Sequence, residues 1–195
     1  MMNPDPQDAN PDPQDVNPDV EGVNPDPESA NPDVEGVNPG ARGPVPADDD
    51  LTTIRVAQFL PHPPAKVWRA LTEPELLAQW QMPGSENFRL EVGHRYTLTA
   101  VPRPNTNFSG TVDVRVLAYE PQRMLSVRWA DADARRPADW TITWTLEQEG
   151  RGTRLFLVHE GFDPDDPAQM MARKIMDGGW RSHVMRSLGN ALDRM

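Results

Sequence analysis

The amino-acid sequence predicts an α+β domain behind a separate acidic tail, and three observations support this. Apolar residues alternate with polar ones in several consecutive segments, the pattern of antiparallel strands with one buried face. Near the carboxyl end the apolar spacing changes to three and four residues, which is typical of a long amphipathic helix. Residues 1–50 show neither pattern and are rich in acidic residues and proline.

The tail differs from the rest of the chain in charge and in repetition. Residues 1–50 carry 13 acidic side chains and one basic one, a net charge of −12, whereas residues 51–195 carry 17 and 18, a net charge of +1. Asn-Pro-Asp recurs every seven residues from Asn3 to Asn31, and its prolines oppose a helix. We expect residues 1–50 to be a disordered, solubilising tail, with weak calcium binding or partner docking as alternatives, and residues 51–195 to form one domain.

The predicted domain begins with a strand and two short helices. Leu51–Leu60 is rich in β-forming residues and places Ile54 and Val56 on one side. Proline fits the first helical turn, so His62-Pro63-Pro64 predicts a helix over Ala65–Leu71. Glu73-Pro74 ends it, and Pro74 opens a second short helix that extends to Trp80.

Several strands follow, each recognised by period-two alternation. The clearest case spans Trp140 to Leu146, where apolar residues alternate with threonine. The same pattern covers 96–100, 112–116, 125–129 and 155–157. Hairpin-like turns separate these segments, at Pro102–Ser109, Glu120-Pro121, Asp131–Asp139 and Glu149–Gly152. We therefore expect an antiparallel sheet with one buried face.

The last element is a helix of about four turns. Its apolar face is formed by Trp180, Val184, Leu188, Ala191 and Leu192. A short helix over Pro167–Met176 is predicted to precede it. The apolar stripe of the final helix has to be buried, and the apolar face of the sheet is the surface available for it.

Composition excludes several classes of protein. The chain has no cysteine, which rules out disulfides and thiolate metal sites. A nearly neutral domain lacks the basic field of nucleic-acid-binding proteins. The sequence contains neither a long apolar run nor a secretory pattern. We therefore expect a cytoplasmic protein with no nucleic-acid partner, no membrane insertion and no cofactor.

Four segments resemble the START-like SRPBCC superfamily. They read HPPAKVWRALTEPELLAQW (62–80), EVGHRYTL (91–98), GTRLFLVHEGF (152–162) and Gly179-Trp180 in the terminal helix. Within that superfamily they are most similar to the branch named after the activator of the heat-shock protein 90 ATPase. The resemblance covers residues 51–195. It implies a helix-grip (START-like, Bet v-like) fold. In this fold a curved antiparallel sheet wraps around the long C-terminal helix, and a hydrophobic cavity lies between the two.

The resemblance also implies a function. It favours binding of a small hydrophobic molecule in that cavity, with no assigned reaction. Alternatives are a chaperone cofactor that stimulates the heat-shock protein 90 ATPase, and a cyclase-like or hydrolytic enzyme that uses the same cavity. No nucleophile–base pair or known catalytic motif is present in the sequence, so no catalytic residue is assigned.

Two histidines are candidates for contact with a ligand. His159 continues the buried parity of Leu155 and Leu157. It is expected either to orient a ligand or act as a base, or to bond the backbone and hold the last strand. His94, which stands where family members often carry glycine, shares the parity of Tyr96. The two histidines with Glu160 could hold a metal only if they lay together, and Glu160 has the opposite parity, so no metal site is assigned.

Aromatic residues complete the candidate site. Trp80, Trp129 and Trp144 are expected to line the cavity, since aromatic walls suit apolar ligands, although core packing explains each of them alone. Trp68 and Trp180 are expected to pack on helices. The candidate ligand-binding residues are Trp80, His94, Tyr96, Trp129, Trp144, His159 and Trp180.

Overall fold

The computed structural model describes residues 50–102, 108–133 and 138–195. The predicted tail therefore lies, except for Asp50, outside the described residues. Parts of two predicted turns, Pro102–Ser109 and Asp131–Asp139, also lie outside them.

Six strands form one antiparallel sheet, which confirms the period-two prediction. Their bounds are β1 Thr53–Leu60, β2 Arg95–Thr99, β3 Thr111–Glu120, β4 Met124–Asp131, β5 Trp140–Glu149 and β6 Gly152–Glu160. The order across the sheet is β1-β6-β5-β4-β3-β2, so β1 and β2 are the edge strands. A register shift between Val116 and Ala118 interrupts the β3–β4 ladder, as a β-bulge does when it bends a sheet.

The helices lie between β1 and β2 and after β6. Their bounds are α1 Pro64–Thr72, α2 Pro74–Leu77, α3 Pro167–Gly179 and α4 Met185–Arg194, with a 3-10 turn over Ser85–Asn87. The second helix is shorter than predicted: it ends at Leu77, and isolated turn bonds, such as that from the Trp80 amide to the carbonyl oxygen of Leu77 at 3.2 Å, follow it. No helix in the described ranges is both long and apolar enough to cross a bilayer.

The expected break before the final helix is absent. A π-helical turn over Trp180–Val184 joins α3 to α4, so the helical backbone runs from Pro167 to Arg194. Two glycines occupy the end of α3, and a glycine costs a helix about 1 kcal/mol relative to alanine without forbidding it. Gly179 has helical angles, φ −65° and ψ −45°. The separate short helix predicted over Pro167–Met176 is therefore the first half of one longer run.

The core lies between one face of the sheet and the helices. Alternate residues of β5, from Trp140 to Leu146, are buried, as the alternation predicts. Helix α1 contributes four buried residues including Val67 and Leu71, and α4 contributes four including Leu188 and Leu192. The strand-then-helix order thus produces the helix-grip arrangement.

Both edges of the sheet are contacted by other parts of the chain. At β1, the Arg173 guanidinium donates to the carbonyl oxygen of Thr53 at 2.8 Å, and that of Arg181 donates to Arg55 at 3.0 Å. Each arginine therefore donates a hydrogen bond to a carbonyl oxygen on the open side of the edge strand β1.

The β2 edge is met by a loop instead. The Thr99 amide donates to the carbonyl oxygen of Pro83 at 2.9 Å. Gly84 has φ +102°, and a Cβ atom there would lie 2.0 Å from the carbonyl oxygen of Thr97. Only glycine lets the loop approach this strand so closely.

Candidate functional site

A small cavity lies between the sheet and the helices. Its volume is about 20 Å³, which is room for one water molecule, since a water needs roughly 10–15 Å³ measured in this way. None of its lining residues is charged; they are Leu71, Leu77, Trp80, Gln81, Phe88, Tyr96, Leu125, Val127, Trp129, Ile142, Trp144 and Trp180. The cavity is therefore apolar, aromatic and, in this conformation, nearly filled.

Four tryptophans form the centre of this lining. Trp180, in the π-helical turn, packs edge-to-face on Trp144 with ring centroids 5.7 Å apart and on Trp129 at 6.5 Å. Trp144 in turn packs edge-to-face on Trp80 at 5.9 Å. Such contacts are the favoured geometry between aromatic rings. They connect the C-terminal helical run to β4, to β5 and to the segment after α2.

A second aromatic group closes the side near β2. Tyr96 packs edge-to-face on Phe88 with centroids 5.7 Å apart, and the His94 ring stacks on Tyr96 at 6.1 Å. Burial raises the pKa of the Tyr96 phenol, so the hydroxyl stays protonated. The Nε2 atom of His94 hydrogen-bonds the carbonyl oxygen of Asn87 at 2.9 Å, and that bond holds the histidine outside the cavity lining.

His159 is fully enclosed among aromatic rings. Its ring lies 4.7 Å from that of Phe162 and 5.6 Å from that of Trp140. The Trp180 indole N–H donates to Nδ1 at 3.2 Å, which places the imidazole proton on Nε2. Nε2 is buried without a hydrogen-bond partner among the described residues. Desolvation lowers the pKa of His159 to about 3, so the ring is neutral near pH 7.

The predicted site residues divide into two groups. The cavity is lined by Trp80, Tyr96, Trp129, Trp144 and Trp180. The parity prediction that His159 is buried is confirmed, but neither His159 nor His94 lines the cavity. The hydrogen bond that holds His159 comes from an indole on the C-terminal helical run and not from the backbone, which was one of the expected alternatives.

The two histidines do not lie together. His159 is on β6 and His94 precedes β2, and strands β5, β4 and β3 separate them. At about 4.8 Å per strand, β6 and β2 are roughly 19 Å apart. The arrangement in which both histidines and Glu160 share a metal is therefore wrong. Within the described ranges, no group of three or more histidine, aspartate or glutamate residues is placed to hold a metal ion.

Sequence reasoning missed more than half of the lining. Leu125, Val127 and Ile142 share the alternation of the predicted tryptophans, and Leu125 pairs directly with Trp144 in the β4–β5 register, so strand parity could have identified them. Gln81 and Phe88 lie in the irregular segment between α2 and β2, where the sequence has no periodic signal. Tertiary packing alone places that segment over the sheet, and no local sequence pattern predicts it.

Comparison with known proteins identifies similar sequences and structures. The family model described as "Activator of Hsp90 ATPase homolog 1-like protein" matches residues 61–193. No curated protein matches the chain. Protein MLL2253 from Mesorhizobium loti is 34% identical, with a TM-score of 0.62, over 73% of this chain and 98% of that one.

Two further solved structures show the same fold at lower identity. DynU16, a protein from the dynemicin biosynthetic locus, is 23% identical with a TM-score of 0.57, over 73% of this chain and 47% of its own. The Aha1 dimer from Colwellia psychrerythraea is 20% identical with a TM-score of 0.53, over 72% of this chain and 95% of that one.

Proposed function

The chain belongs to the family of activator of Hsp90 ATPase homolog 1-like proteins, and we propose that it binds a small hydrophobic molecule between the sheet and the C-terminal helical run. The observation that carries this proposal is the cavity itself. It lies inside the domain, six of its twelve lining residues are aromatic, and none is charged. Ligand sites in proteins are typically apolar clefts with a few placed polar groups.

Binding requires the cavity to open. Sites for drug-sized ligands have volumes of about 300–1,000 Å³, against about 20 Å³ here. The sheet side of the cavity is fixed by the strand ladders. The opposite side includes Leu77, Trp80, Gln81 and Phe88, which lie on a four-residue helix and the irregular segment after it. Short segments with few ladder bonds open at low free energy, so we expect this wall to move outward when a ligand enters.

A neutral fluorescent probe tests the proposal. N-phenyl-1-naphthylamine, titrated into the full chain, should bind saturably at one site and accept excitation energy from the tryptophans. Phe88→Leu should weaken binding about two- to tenfold, because an aromatic contact contributes about 0.5–1.5 kcal/mol.

The matched control is Phe162→Leu. Phe88 and Phe162 are both 2% exposed, but only Phe88 lines the cavity. Phe162→Leu should therefore lower the free energy of unfolding about as much as Phe88→Leu does, and should leave the affinity for the probe unchanged. Absence of saturable binding would reject the proposal, and an equal loss of affinity in both variants would place the probe elsewhere.

The alternative functions have less support. A catalytic base at His159 is disfavoured because the ring is enclosed, neutral and outside the cavity lining. The chaperone-cofactor alternative rests on the family description alone. Stimulation of a purified heat-shock protein 90 ATPase by the full chain would support it directly.

A further inference from the structure

Three arginines stand side by side on the face of the sheet that points away from the cavity. Arg95 on β2 pairs with Arg115 on β3, and Arg115 pairs with Arg128 on β4. Directly opposed side chains on neighbouring strands have Cβ atoms about 5 Å apart. These three residues, the arginine row, therefore form a line of positive charge across three strands. Like charges in opposed positions destabilise a sheet, so the row needs a physical explanation.

The arginine row and the cavity use opposite faces of the same strands. Successive residues of a strand point to opposite faces. Val127 and Trp129 line the cavity, so Arg128 between them points outward. Arg115 is likewise exposed, between two buried valines of β3. A partner bound to the row and a molecule bound in the cavity would therefore not compete for space, and the inference is independent of the proposed function.

Two carboxylates neutralise part of this charge. Asp113 Oδ2 lies 2.6 Å from Arg95 Nη2 and 3.6 Å from Arg128 Nη1. Asp139 Oδ1 lies 2.6 Å from Arg128 Nε. Arg115 makes no ion pair or hydrogen bond with any residue that the structure describes. The central guanidinium of the row therefore keeps its N–H donors for another molecule.

The shape of this face decides which anion suits it. The Arg95 side chain is 61% exposed, so the row lies on open surface, where a single ion pair contributes little free energy. Several carboxylates on one partner would engage the row together. Acidic residues three and four positions apart on a helix lie about 5–6 Å apart, which is close to the spacing of the arginines.

A nucleic acid suits this face less well. Its binding depends on neutralising many phosphates with a broad basic field. Residues 51–195 have a net charge of only +1, and the positive charge of the row is confined to three neighbouring strands. The local charge therefore matches a short acidic segment better than a long polyanion.

We infer that the arginine row is a docking surface for an acidic helix of a partner protein. Carboxylates of that helix would accept hydrogen bonds from Arg115 and from the donors of Arg95 that Asp113 does not use. Arginine–carboxylate pairs are frequently bidentate and directional, and arginine is enriched at protein interfaces. Asp113 would compete with the partner, because it lies against two of the three guanidinium groups.

Fluorescence anisotropy of a labelled peptide tests the inference on the full chain. The probe is a stapled, alanine-rich helical peptide with glutamate at every fourth position, and its control carries glutamine at the same positions. The glutamate peptide should bind and the glutamine peptide should not. Raising sodium chloride from about 50 to 300 mM should weaken binding, because salt screens exposed charges.

Two substitutions at the row should change the affinity in opposite directions. Arg115→Gln should weaken binding of the glutamate peptide about two- to fivefold, the range that exposed ion pairs contribute. Asp113→Asn should tighten binding by a similar factor, because it removes the carboxylate that competes for Arg95 and Arg128. A purely structural role of Asp113 predicts no such gain.

Matched controls make the same changes of charge elsewhere. Arg151→Gln removes an exposed arginine in the turn between β5 and β6, and Asp165→Asn removes an exposed carboxylate before α3. Each should change the affinity for the peptide less than its counterpart at the row does. All four variants should bind N-phenyl-1-naphthylamine as the native chain does, so failure of this inference is distinguishable from failure of the proposed function.

Three results would overturn the inference. The first is absence of binding by the glutamate peptide, or equal binding to the native chain and to Arg115→Gln. The second is an equal loss in Arg115→Gln and Arg151→Gln, because net charge alone would then attract the peptide. The third is tighter binding of a thymidine oligonucleotide with the same dependence on Arg115, which would assign the row to nucleic acid instead.

Discussion

The two halves of the C-terminal helical run are held in different ways. Helix α4 buries Met185, Leu188, Ala191 and Leu192 against the core, whereas α3 buries only Ala172. On α3, Met171 is 46% exposed and Ile175 is 36% exposed. One continuous backbone thus contains a half that is deeply buried and a half that packs on the core only through partly buried side chains such as Met170 and Met176.

Polar contacts add to the packing of α3. The Asp166 side chain caps α3 by accepting from the amides of Ala168 at 2.9 Å and Gln169 at 3.4 Å, and Pro167 fits the first helical position. Arg173 ties the helix to β1 through the Thr53 carbonyl. Packing accounts for most helix stability in proteins, so α3 is expected to open more readily than α4.

The largest expected effect comes from deleting one apolar side chain in each half. Leu188→Ala removes a fully buried side chain and should lower the free energy of unfolding by about 2–5 kcal/mol. Met171→Ala removes a half-exposed one and should change it by less than about 0.5 kcal/mol. Urea denaturation measures both. Equal losses would show that α3 is as much a part of the core as α4.

The next effect is the dependence of the free energy of unfolding on pH. It arises where the two halves join, because His159 accepts a hydrogen bond from the Trp180 indole there. Burial lowers the pKa of His159 to about 3, against an ordinary 6.5. Between these values the unfolded chain binds a proton that the folded chain does not, so acid favours unfolding. His159 should therefore reduce the free energy of unfolding by about 1.4 kcal/mol for each pH unit below 6.5.

His159→Gln isolates this contribution, since glutamine accepts from an indole and does not titrate. The denaturation midpoint of the native chain should fall more steeply than that of the variant between pH 6.5 and 4. Parallel pH profiles would mean that His159 becomes protonated in the folded protein over this range. The conclusion that burial keeps its ring neutral would then be wrong.

The smallest effect concerns the glycines of the C-terminal helical run, two before the π-helical turn and one after it. A Cβ atom at Gly178, Gly179 or Gly189 would meet nothing within 4 Å. Each glycine-to-alanine change should therefore raise helix stability by about 0.5–1 kcal/mol. Gly178→Ala with Gly179→Ala should slow amide exchange across α3. Gly189→Ala, in α4, should leave α3 exchange unchanged, and hydrogen-exchange mass spectrometry separates the cases.

The sequence predicts α4 better than α3 for a physical reason. Leu188 and Leu192 follow the helical period because they pack on the core, and His159 follows strand parity for the same cause. Asp177-Gly178-Gly179 suggests a helix end locally, but the π-helical turn carries the backbone through it. Periodicity reports burial, so it is weakest where burial is least.

The site shows the same division. Trp129 and Trp144 could be predicted from strand alternation, whereas Gln81 and Phe88 come from a segment with no period. The volume of the cavity could not be predicted, because it depends on how closely the rings of four tryptophans approach one another. Such distances result from the whole packing arrangement.

The contacts at the two sheet edges bear on how the molecule behaves at high concentration. An open edge strand offers unpaired N–H and C=O groups to a second chain and is a common starting point for aggregation. Here Arg173 and Arg181 occupy carbonyls in the first half of β1, and the Pro83-Gly84 loop lies along β2. Self-association by strand addition is therefore blocked at these positions, and the chain can keep a wide six-stranded sheet without extending it into a neighbouring copy.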